Sequence, residues 1–314
     1  MRTFLLKRLP SGLLVLALAS FLVFLILRLI PGDPATSLAG PDASPAAVEA
    51  IRAQLGLDQP LFGQYLGWLG RLLSGDLGPS YAIGGQVADL IGNGLGATAQ
   101  LALGALLLVV LIALPLAVAG ATTRSRPLAA VIQAVTTAVL AVPPFVTGVL
   151  LVLVLAVSLR LLPAGGHESL LAAPDLALQY LAMPALCLAL PSAAVLARYL
   201  KDGIERALAE DYVRTATALG VSRRRIVWRH ALPNALPSAV TVLGLQIGHL
   251  IAGAVLVERI FAWPGLGQLI EQGVARRDYP VVQDLLLLVV AVYVAVQLLT
   301  DLAYAWLDPR IRWE

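Results

Sequence analysis

The chain has 314 residues, of which 59% are hydrophobic and 13% are charged. An average soluble domain has about 45–50% apolar and about 25% charged residues, so this chain carries more apolar side chains than a water-soluble core can bury. A single cysteine excludes both a disulfide framework and a thiolate metal cluster. The small excess of 22 Lys and Arg over 19 Asp and Glu gives no reason to expect nucleic acid as a partner.

Six stretches of the chain are apolar and long enough to cross a bilayer, which requires roughly 20 helical residues. In chain order they are residues 9–30, 97–121, 128–158, 178–199, 236–257 and 284–306. The sequence therefore predicts an all-α membrane protein with about six transmembrane helices. The first stretch is predicted to be a retained span rather than a cleaved signal peptide, because its apolar run is long and no small-residue cleavage pattern follows it.

The distribution of positive charge predicts the orientation. With the N-terminus inside, most of the 22 Lys and Arg residues fall in cytoplasmic segments, and both termini are then cytoplasmic. The predicted division of the chain is an N-terminal segment with the first span, an extracytoplasmic cap, a five-helix core that includes the cytoplasmic loop 201–235, and a cytoplasmic tail. These parts comprise residues 1–30, 31–96, 97–306 and 307–314.

Two short-range patterns add detail to this division. Apolar residues at helical spacing predict a short amphipathic helix within residues 45–57 of the cap. Prolines predict bends in the third span, at 143 and 144, and in the fourth, at 184 and 191, since proline removes a backbone donor. Such bends are either static kinks or part of a moving pathway.

The loop 201–235 is the most charged part of the chain. Apolar positions at helical spacing predict a helix that Gly220 ends, and Ser222 is positioned to begin a second helix that Pro233 stops. The apolar face of the first helix comprises Ile204, Leu208, Tyr212, Ala216 and Leu219. By itself, this pattern is also typical of a basic hairpin on an anionic lipid surface.

The order of residues in this loop resembles a family signature. Bacterial ABC importer permeases carry Glu-Ala-Ala, three residues, Gly, nine residues, Ile, any residue and Leu-Pro. Here Ala216, Gly220, Leu232 and Pro233 match this signature in register. Three positions depart from it, because Arg214, Thr215 and His230 replace the Glu, the first Ala and the Ile.

Further motifs make the chain similar to the dipeptide, oligopeptide and nickel branch of that family, in particular to the first, B-type, permease subunit of a peptide importer. An Arg-Thr-Ala opening without the glutamate is typical of this branch. The other matching segments are residues 27–34, 55–60, 75–78, 261–267, which read Phe-Ala-Trp-Pro-Gly-Leu-Gly, 277–280 and 307–312.

The resemblance implies the type I permease fold of ABC importers, with a small extracytoplasmic cap after the first helix, in the bacterial inner membrane. It implies a subunit that moves di- or oligopeptides inward by alternating access. The implied partners are a homologous second permease subunit, one or two cytoplasmic ATPase subunits that bind ATP and Mg²⁺, an extracytoplasmic binding protein and membrane lipid. No cofactor is expected on this chain.

The chain is not expected to be an enzyme. A phosphate-binding loop needs Gly-x-x-x-x-Gly-Lys-Ser/Thr, and the only two lysines, Lys7 and Lys201, do not follow a glycine. Alternatives are an importer of nickel, glutathione or another small solute, and an ion-coupled secondary transporter, although internal repeats and midplane acids are not evident. An intramembrane enzyme would need a metal or nucleophile constellation, and none is predicted.

The predicted site residues form two groups, and neither is catalytic or metal-binding. The ATPase-coupling group comprises Asp211, Tyr212, Arg214, Thr215, Ala216, Gly220, Arg224, Leu232 and Pro233. The pathway or gate group comprises Gln246, Glu258, Arg259 and Trp263. Alternatively, Glu258 and Arg259 pair with each other, Trp263 anchors at the membrane interface, and Gln246 makes helix–helix hydrogen bonds. Arg28 is expected to extend toward lipid headgroups.

Overall fold

The structure is a computed structural model that describes residues 2–29, 33–40 and 42–307. All regular elements in these ranges are helices. They form two compact units, of which unit 1 contains the described residues up to 98 together with 264–294, and unit 2 contains 99–263 together with the described residues from 295 onward. The predicted division into four successive segments stays a prediction.

Five helices of the described chain are long and apolar enough to cross a membrane. A sixth crossing results if the bent pair Arg126–Ala141 and Pro144–Ser158 counts as one span. The fold class predicted from the sequence, an all-α membrane protein with about six spans, is confirmed. The five continuous segments are Arg8–Leu29, Val87–Thr122, Pro174–Ala209, Arg223–Ile260 and Tyr279–Ala303.

The third predicted span, 128–158, is broken rather than continuous. Helix α6 (Arg126–Ala141) is followed by a helix that begins at Pro144, after a bend of 103°. Val142 and Pro143 have extended ψ angles of 123° and 142° because a residue that precedes a proline is disfavoured in the helical region. The predicted effect of the proline pair is therefore present here, whereas Pro184 and Pro191 lie inside one uninterrupted helix.

Unit 1 contains the cap and most of the N-terminal half of the chain. The predicted cap helix is present as α3 (Pro45–Gln54), which Ser44 caps by accepting a hydrogen bond from the Ala47 amide. A core of six buried apolar residues holds three helices together, namely the start of α5 (Val87–Thr122), α12 (Leu266–Ala275) and the start of α13 (Tyr279–Leu307): Val87, Ile91, Leu266, Leu269, Val281 and Leu285. The helices of the unit are α1 (Arg2–Leu29), α2 (Pro34–Ala39), α3 (Pro45–Gln54), α4 (Leu61–Leu73), the start of α5 (Val87–Thr122), α12 (Leu266–Ala275) and the start of α13 (Tyr279–Leu307).

A buried carboxylate fastens the segment before α5. The Asp278 side chain is fully buried and accepts four hydrogen bonds, from the Ser80 hydroxyl at 2.5 Å and from the amides of Tyr81, Ala82 and Ile83 at 3.1, 2.8 and 3.0 Å. A carboxylate with this many donors is well solvated by protein. The turn 80–83 is therefore shaped around a side chain that is distant in sequence.

Unit 2 is a helical bundle centred on two long helices. Helix α8 (Pro174–Ala209) packs along α11 (Leu232–Ile260), and α6 and α7 (Pro144–Leu151) also contact α8. Much of the buried face of α8 is alanine, which allows helices to approach closely. The helices of the unit are the remainder of α5, α6 (Arg126–Ala141), α7 (Pro144–Leu151) with a π-helical extension Val152–Ser158, α8 (Pro174–Ala209), α9 (Asp211–Ala218), α10 (Arg223–Ile226), α11 (Leu232–Ile260) and the end of α13.

Among the glycines of unit 2, Gly244 leaves the least room for a side chain. A Cβ atom there would overlap the side chain of Thr300, whose hydroxyl is already held by a hydrogen bond to the Val296 carbonyl. We expect Gly244→Ala to lower the free energy of unfolding by about 1–3 kcal/mol, as overpacking of a filled interior does. The measurement is the melting temperature of the purified chain in detergent.

The matched control for this prediction lies on the same helix. A Cβ at Gly253 meets only the end of the flexible Leu188 side chain, so Gly253→Ala should have the smaller effect. Equal melting temperatures for Gly244→Ala and the unchanged chain would contradict the close contact with Thr300.

Candidate functional site

The loop 201–235 folds into two helices that differ from the predicted pair. Helix α8 continues to Ala209, and Glu210 is extended with ψ 153° before α9 begins at Asp211. The prediction of one helix from Ile204 to Leu219 was therefore wrong. The second helix was also predicted wrongly to stop at Pro233, because α10 continues through a π-helical turn into α11.

The π-helical turn explains why Pro233 does not end the helix. Within Val227–Ala231, backbone hydrogen bonds span five residues, and the Leu232 amide donates to the Val227 carbonyl. A proline has no amide hydrogen and its ring clashes with the carbonyl four residues earlier in a regular helix. The wider turn relieves that clash, so the loop connects directly to a membrane helix.

Gly220 forms the predicted turn. Its φ is +76°, and the amides of Gly220 and Val221 donate to the carbonyls of Thr217 and Ala216, both at 3.0 Å. This is the Schellman arrangement that ends a helix with a left-handed residue. A Cβ at Gly220 would meet no atom within 4 Å, so glycine is required by the backbone conformation and not by lack of space.

The predicted apolar face of the first loop helix is largely exposed. In α9 the buried residue is Val213, whereas Tyr212 lies outside and Leu219, just after the helix, is 79% exposed. The extended backbone at Glu210 interrupts the helix, and the later positions that are in phase with Ile204 in the sequence are exposed or half-buried. Apolar side chains at this end of the molecule are consequently available for a contact.

The second loop helix adds positive charge beside this apolar surface. Trp228 is 47% exposed and lies with Arg224, Arg225 and Arg229 around a shallow depression of about 580 Å³. Together with Leu219 these four residues are called the loop surface below. Of its members, the sequence predicted only Arg224 as a site residue. The signal that could have identified the others is a tryptophan within a basic run.

Hydrogen bonds from two side chains, Arg223 and Asn234, join the loop to the membrane helices of unit 2. The Arg223 guanidinium donates to the Thr122 carbonyl at the end of α5 at 3.2 Å. The Asn234 amide donates to the Tyr212 hydroxyl at 3.0 Å and to the His230 carbonyl at 2.9 Å, which connects α9 with the start of α11. The loop is therefore attached to two long helices.

The remaining coupling residues are arranged as follows. Arg214 and Asp211 form an exposed ion pair of 3.1 Å, which contributes little to stability in water. Thr215 and Pro233 are exposed and Ala216 is half-buried. Leu232 is buried, so it supports the loop from inside and offers no surface to a partner.

Three of the four pathway residues are buried inside the molecule. Glu258 and Trp263 are fully buried, Gln246 is 8% exposed, and Arg259 is exposed. The Trp263 ring packs edge-on against the His167 imidazole, with ring centroids 4.6 Å apart. A membrane-interface anchor would be exposed, so this alternative for Trp263 was wrong. The gate role of these residues and the pairing of Glu258 with Arg259 stay predictions.

Two further polar residues of unit 1 contact neighbouring helices. Asp284 accepts a hydrogen bond of 2.8 Å from the buried Trp68 indole, which joins α13 to α4. Arg28 does not extend away from the protein. Its guanidinium lies over the rings of Phe24 and Tyr279, at 5.1 and 5.9 Å from the centroids.

Comparison with known proteins decides the family. Residues 111–313 match the family described as the binding-protein-dependent transport system inner membrane component, and residues 1–102 match the corresponding N-terminal family. The chain belongs to this family. It is a permease subunit of an ABC importer, as the loop signature indicated, and this family is the multi-pass membrane component, which is not itself an ATPase.

Curated relatives match over nearly their whole length. The chain is 40% identical over 319 residues to the probable D,D-dipeptide transport system permease protein DdpB of Escherichia coli. This match covers 95% of this chain and 94% of the relative. It is 37% identical over 314 residues to the glutathione transport system permease protein GsiC of Escherichia coli, with full coverage of both.

Solved structures confirm the fold. An inward-facing MetNI methionine ABC transporter aligns with 70% of this chain and 96% of its own, with a TM-score of 0.59 and 19% identity. A chain of an amino acid ABC transporter aligns with 71% of this chain and 95% of its own, with a TM-score of 0.51 and 20% identity.

Proposed function

We propose that this permease subunit imports short peptides. The observation that supports the substrate class most strongly is the full-length similarity to DdpB and GsiC, since a D,D-dipeptide and glutathione are both short peptides. Glutathione itself is a second candidate, because the similarity to GsiC covers every residue of both chains. Both candidates require a pathway with polar groups for peptide amides and charged ends.

The proposed partners are those of a heteromeric importer. Loop 201–235 faces the cytoplasm in this proposal, as the positive-inside bias favours, and both termini lie on the same side. ATPase subunits dock on the loop and hold ATP and Mg²⁺, a second permease subunit completes the pathway, and a separate binding protein delivers peptide from outside. The permease chain itself binds no cofactor.

The loop surface is proposed to be the docking site for an ATPase subunit. Leu219 and Trp228 supply apolar contact area, and Arg224, Arg225 and Arg229 favour a partner groove with acidic residues. The predicted coupling residues Asp211, Tyr212 and Gly220 lie in the adjoining helix and turn. A docking surface of this kind needs no catalytic group.

The attachments of the loop suggest how movement reaches the membrane. A displacement of α10 passes to α11 through the continuous π-helical turn and to α5 through the hydrogen bond of Arg223 with Thr122. The hydrogen bond between the Asn234 side chain and the Tyr212 hydroxyl couples α9 to the movement of α11. Closure of the ATPase subunits would thereby switch the helices as rigid bodies between inward-open and outward-open arrangements.

Uptake measurements test this function. Cells with and without the chain receive labelled D,D-dipeptide, L,L-dipeptide, glutathione or nickel, while the proton gradient is collapsed and ATP is maintained. We expect peptide uptake to require the chain and to persist without the gradient. Unchanged peptide uptake in cells that lack the chain would contradict the proposal, and loss of glutathione uptake alone would favour the second candidate.

A further inference from the structure

Unit 1 contains a cavity that the transport mechanism described above does not use. Its volume is about 690 Å³, and its walls come from the end of α1, from α3 and α4, from the segment 76–81 and from the start of α13. Cavities of roughly 300–1,000 Å³ are typical of small-molecule sites. All of its lining residues belong to unit 1.

The charged groups of this cavity are predominantly cationic. Arg28 and Arg71 line it, and Asp76 is the one carboxylate among the described lining residues. The Asp76 carboxylate already accepts a hydrogen bond of 2.9 Å from the Gly78 amide. Among the described lining residues, the guanidinium groups therefore outnumber the carboxylates by one, and the Asp284 carboxylate, which does not line the cavity, also interacts with Arg71.

One donor of the Arg28 guanidinium, its buried Nε atom, has no acceptor among the described residues. The neighbours of the guanidinium are the aromatic rings of Phe24 and Tyr279. A buried donor without an acceptor costs free energy, and more so when it is charged. A ligand with acceptor atoms would remove that cost.

A second unpartnered donor lines the same cavity. Gln283 is 4% exposed, lines the cavity, and its Nε2 atom has no acceptor among the described residues. Tyr81 also lines the cavity, and burial raises the pKa of its hydroxyl, which therefore remains protonated and able to donate. The buried Gln64 Oε1 is an acceptor without a described partner, which a hydroxyl or N–H group of a ligand would satisfy.

We propose that this cavity binds a small oxyanion, a carboxylate or phosphate group, through Arg28, Arg71 and Gln283. Arginine pairs with both groups through two parallel hydrogen bonds, and the Gln283 amide adds a neutral donor. The group comes either from the headgroup of an anionic lipid or from a soluble carboxylate. The site does not depend on which solute the importer moves.

The experiment uses the full chain in two arms. In the lipid arm, the chain is extracted from vesicles of equal parts phosphatidylglycerol and phosphatidylcholine, and native mass spectrometry counts the retained lipids. In the soluble arm, the chain is held in phosphatidylcholine nanodiscs, and binding of alanylalanine is compared with binding of its C-terminal amide. Arg28→Gln and Arg71→Gln are tested in both arms, with Arg276→Gln as an exposed control in unit 1 outside the cavity.

A lipid headgroup is supported if the unchanged chain retains phosphatidylglycerol selectively and both cavity variants lose this retention. A soluble carboxylate is supported if the unchanged chain binds alanylalanine at least about tenfold more tightly than it binds the amide. Both cavity variants should then lose this difference. Arg71 is exposed, so Arg71→Gln keeps the test decisive if Arg28→Gln does not fold. The proposal is overturned if the unchanged chain neither retains phosphatidylglycerol selectively nor binds alanylalanine more tightly than the amide. It is also overturned if both cavity variants retain the lipid and bind alanylalanine as well as the unchanged chain does.

Discussion

Replacing Gly220 with valine is expected to abolish ATP-driven uptake while the chain still inserts at its normal level. The φ of +76° places Gly220 in the left-handed region, which costs an L-residue about 1–2 kcal/mol and a β-branched residue more. A valine would therefore shift the turn and move α9 relative to α10. Nothing packs against this position, so the damage should be confined to the turn.

The measurement compares uptake and ATP hydrolysis in proteoliposomes that contain the partner subunits. We expect hydrolysis to continue without transport in Gly220→Val. Gly220→Asn should recover part of the uptake, since asparagine tolerates the left-handed conformation. Gly75→Val is the matched control, because Gly75 has φ +81° with no atom within 4 Å and lies in the cap. Normal transport by Gly220→Val would refute the coupling role of the turn.

Asp278→Ala is expected to release the segment before α5 and to destabilise unit 1. The change leaves the Ser80 hydroxyl and the amides of Tyr81 and Ala82 without their acceptor, while the Ile83 amide keeps only its bond to the Ser80 hydroxyl oxygen. Such unsatisfied donors cost about 1–3 kcal/mol each, and nearby relaxation recovers part of this, so a loss of about 3 kcal/mol or more is expected. Asp278→Asn should also destabilise the chain, because the asparagine side chain replaces one acceptor oxygen by an NH2 group, which would face the hydroxyl and amide donors of residues 80–83.

Two readouts separate a local effect from global unfolding. Limited proteolysis should cleave within residues 76–86 of Asp278→Ala faster than in the unchanged chain. The single cysteine, Cys187, is buried in unit 2 and should remain unreactive toward thiol reagents at room temperature. Asp58→Ala, which removes an exposed cap carboxylate, is the control. Equal proteolysis of Asp278→Ala and this control would show that the carboxylate does not hold the turn.

Local sequence was sufficient for the features that depend on short segments. The spans could be predicted because each needs only about 20 apolar residues in a row. The turn at Gly220 could be predicted because a left-handed residue after a helix is usually glycine. The bend at Pro143 and Pro144 follows equally from two adjacent residues.

The predictions for the loop helices were wrong where a neighbouring structural feature changed the outcome of a local sequence rule. Pro233 is a helix-breaking signal, but a π-helical turn directly before it removes the clash. Leu219 and Tyr212 are in phase with the buried Ile204, but the break at Glu210 separates their helices. Apolar periodicity alone therefore indicated burial at positions that the fold leaves exposed.

The sequence by itself determined that this chain crosses a membrane, that it has the permease loop signature, and that the loop turns at Gly220. Only the tertiary structure decided which side chains meet across long separations. The Asp278 carboxylate binds donors 195–198 residues earlier, and the Trp68 indole bonds with Asp284 at a separation of 216 residues. No periodicity encodes such pairs, because they depend on how helices pack and on which buried polar groups then need partners.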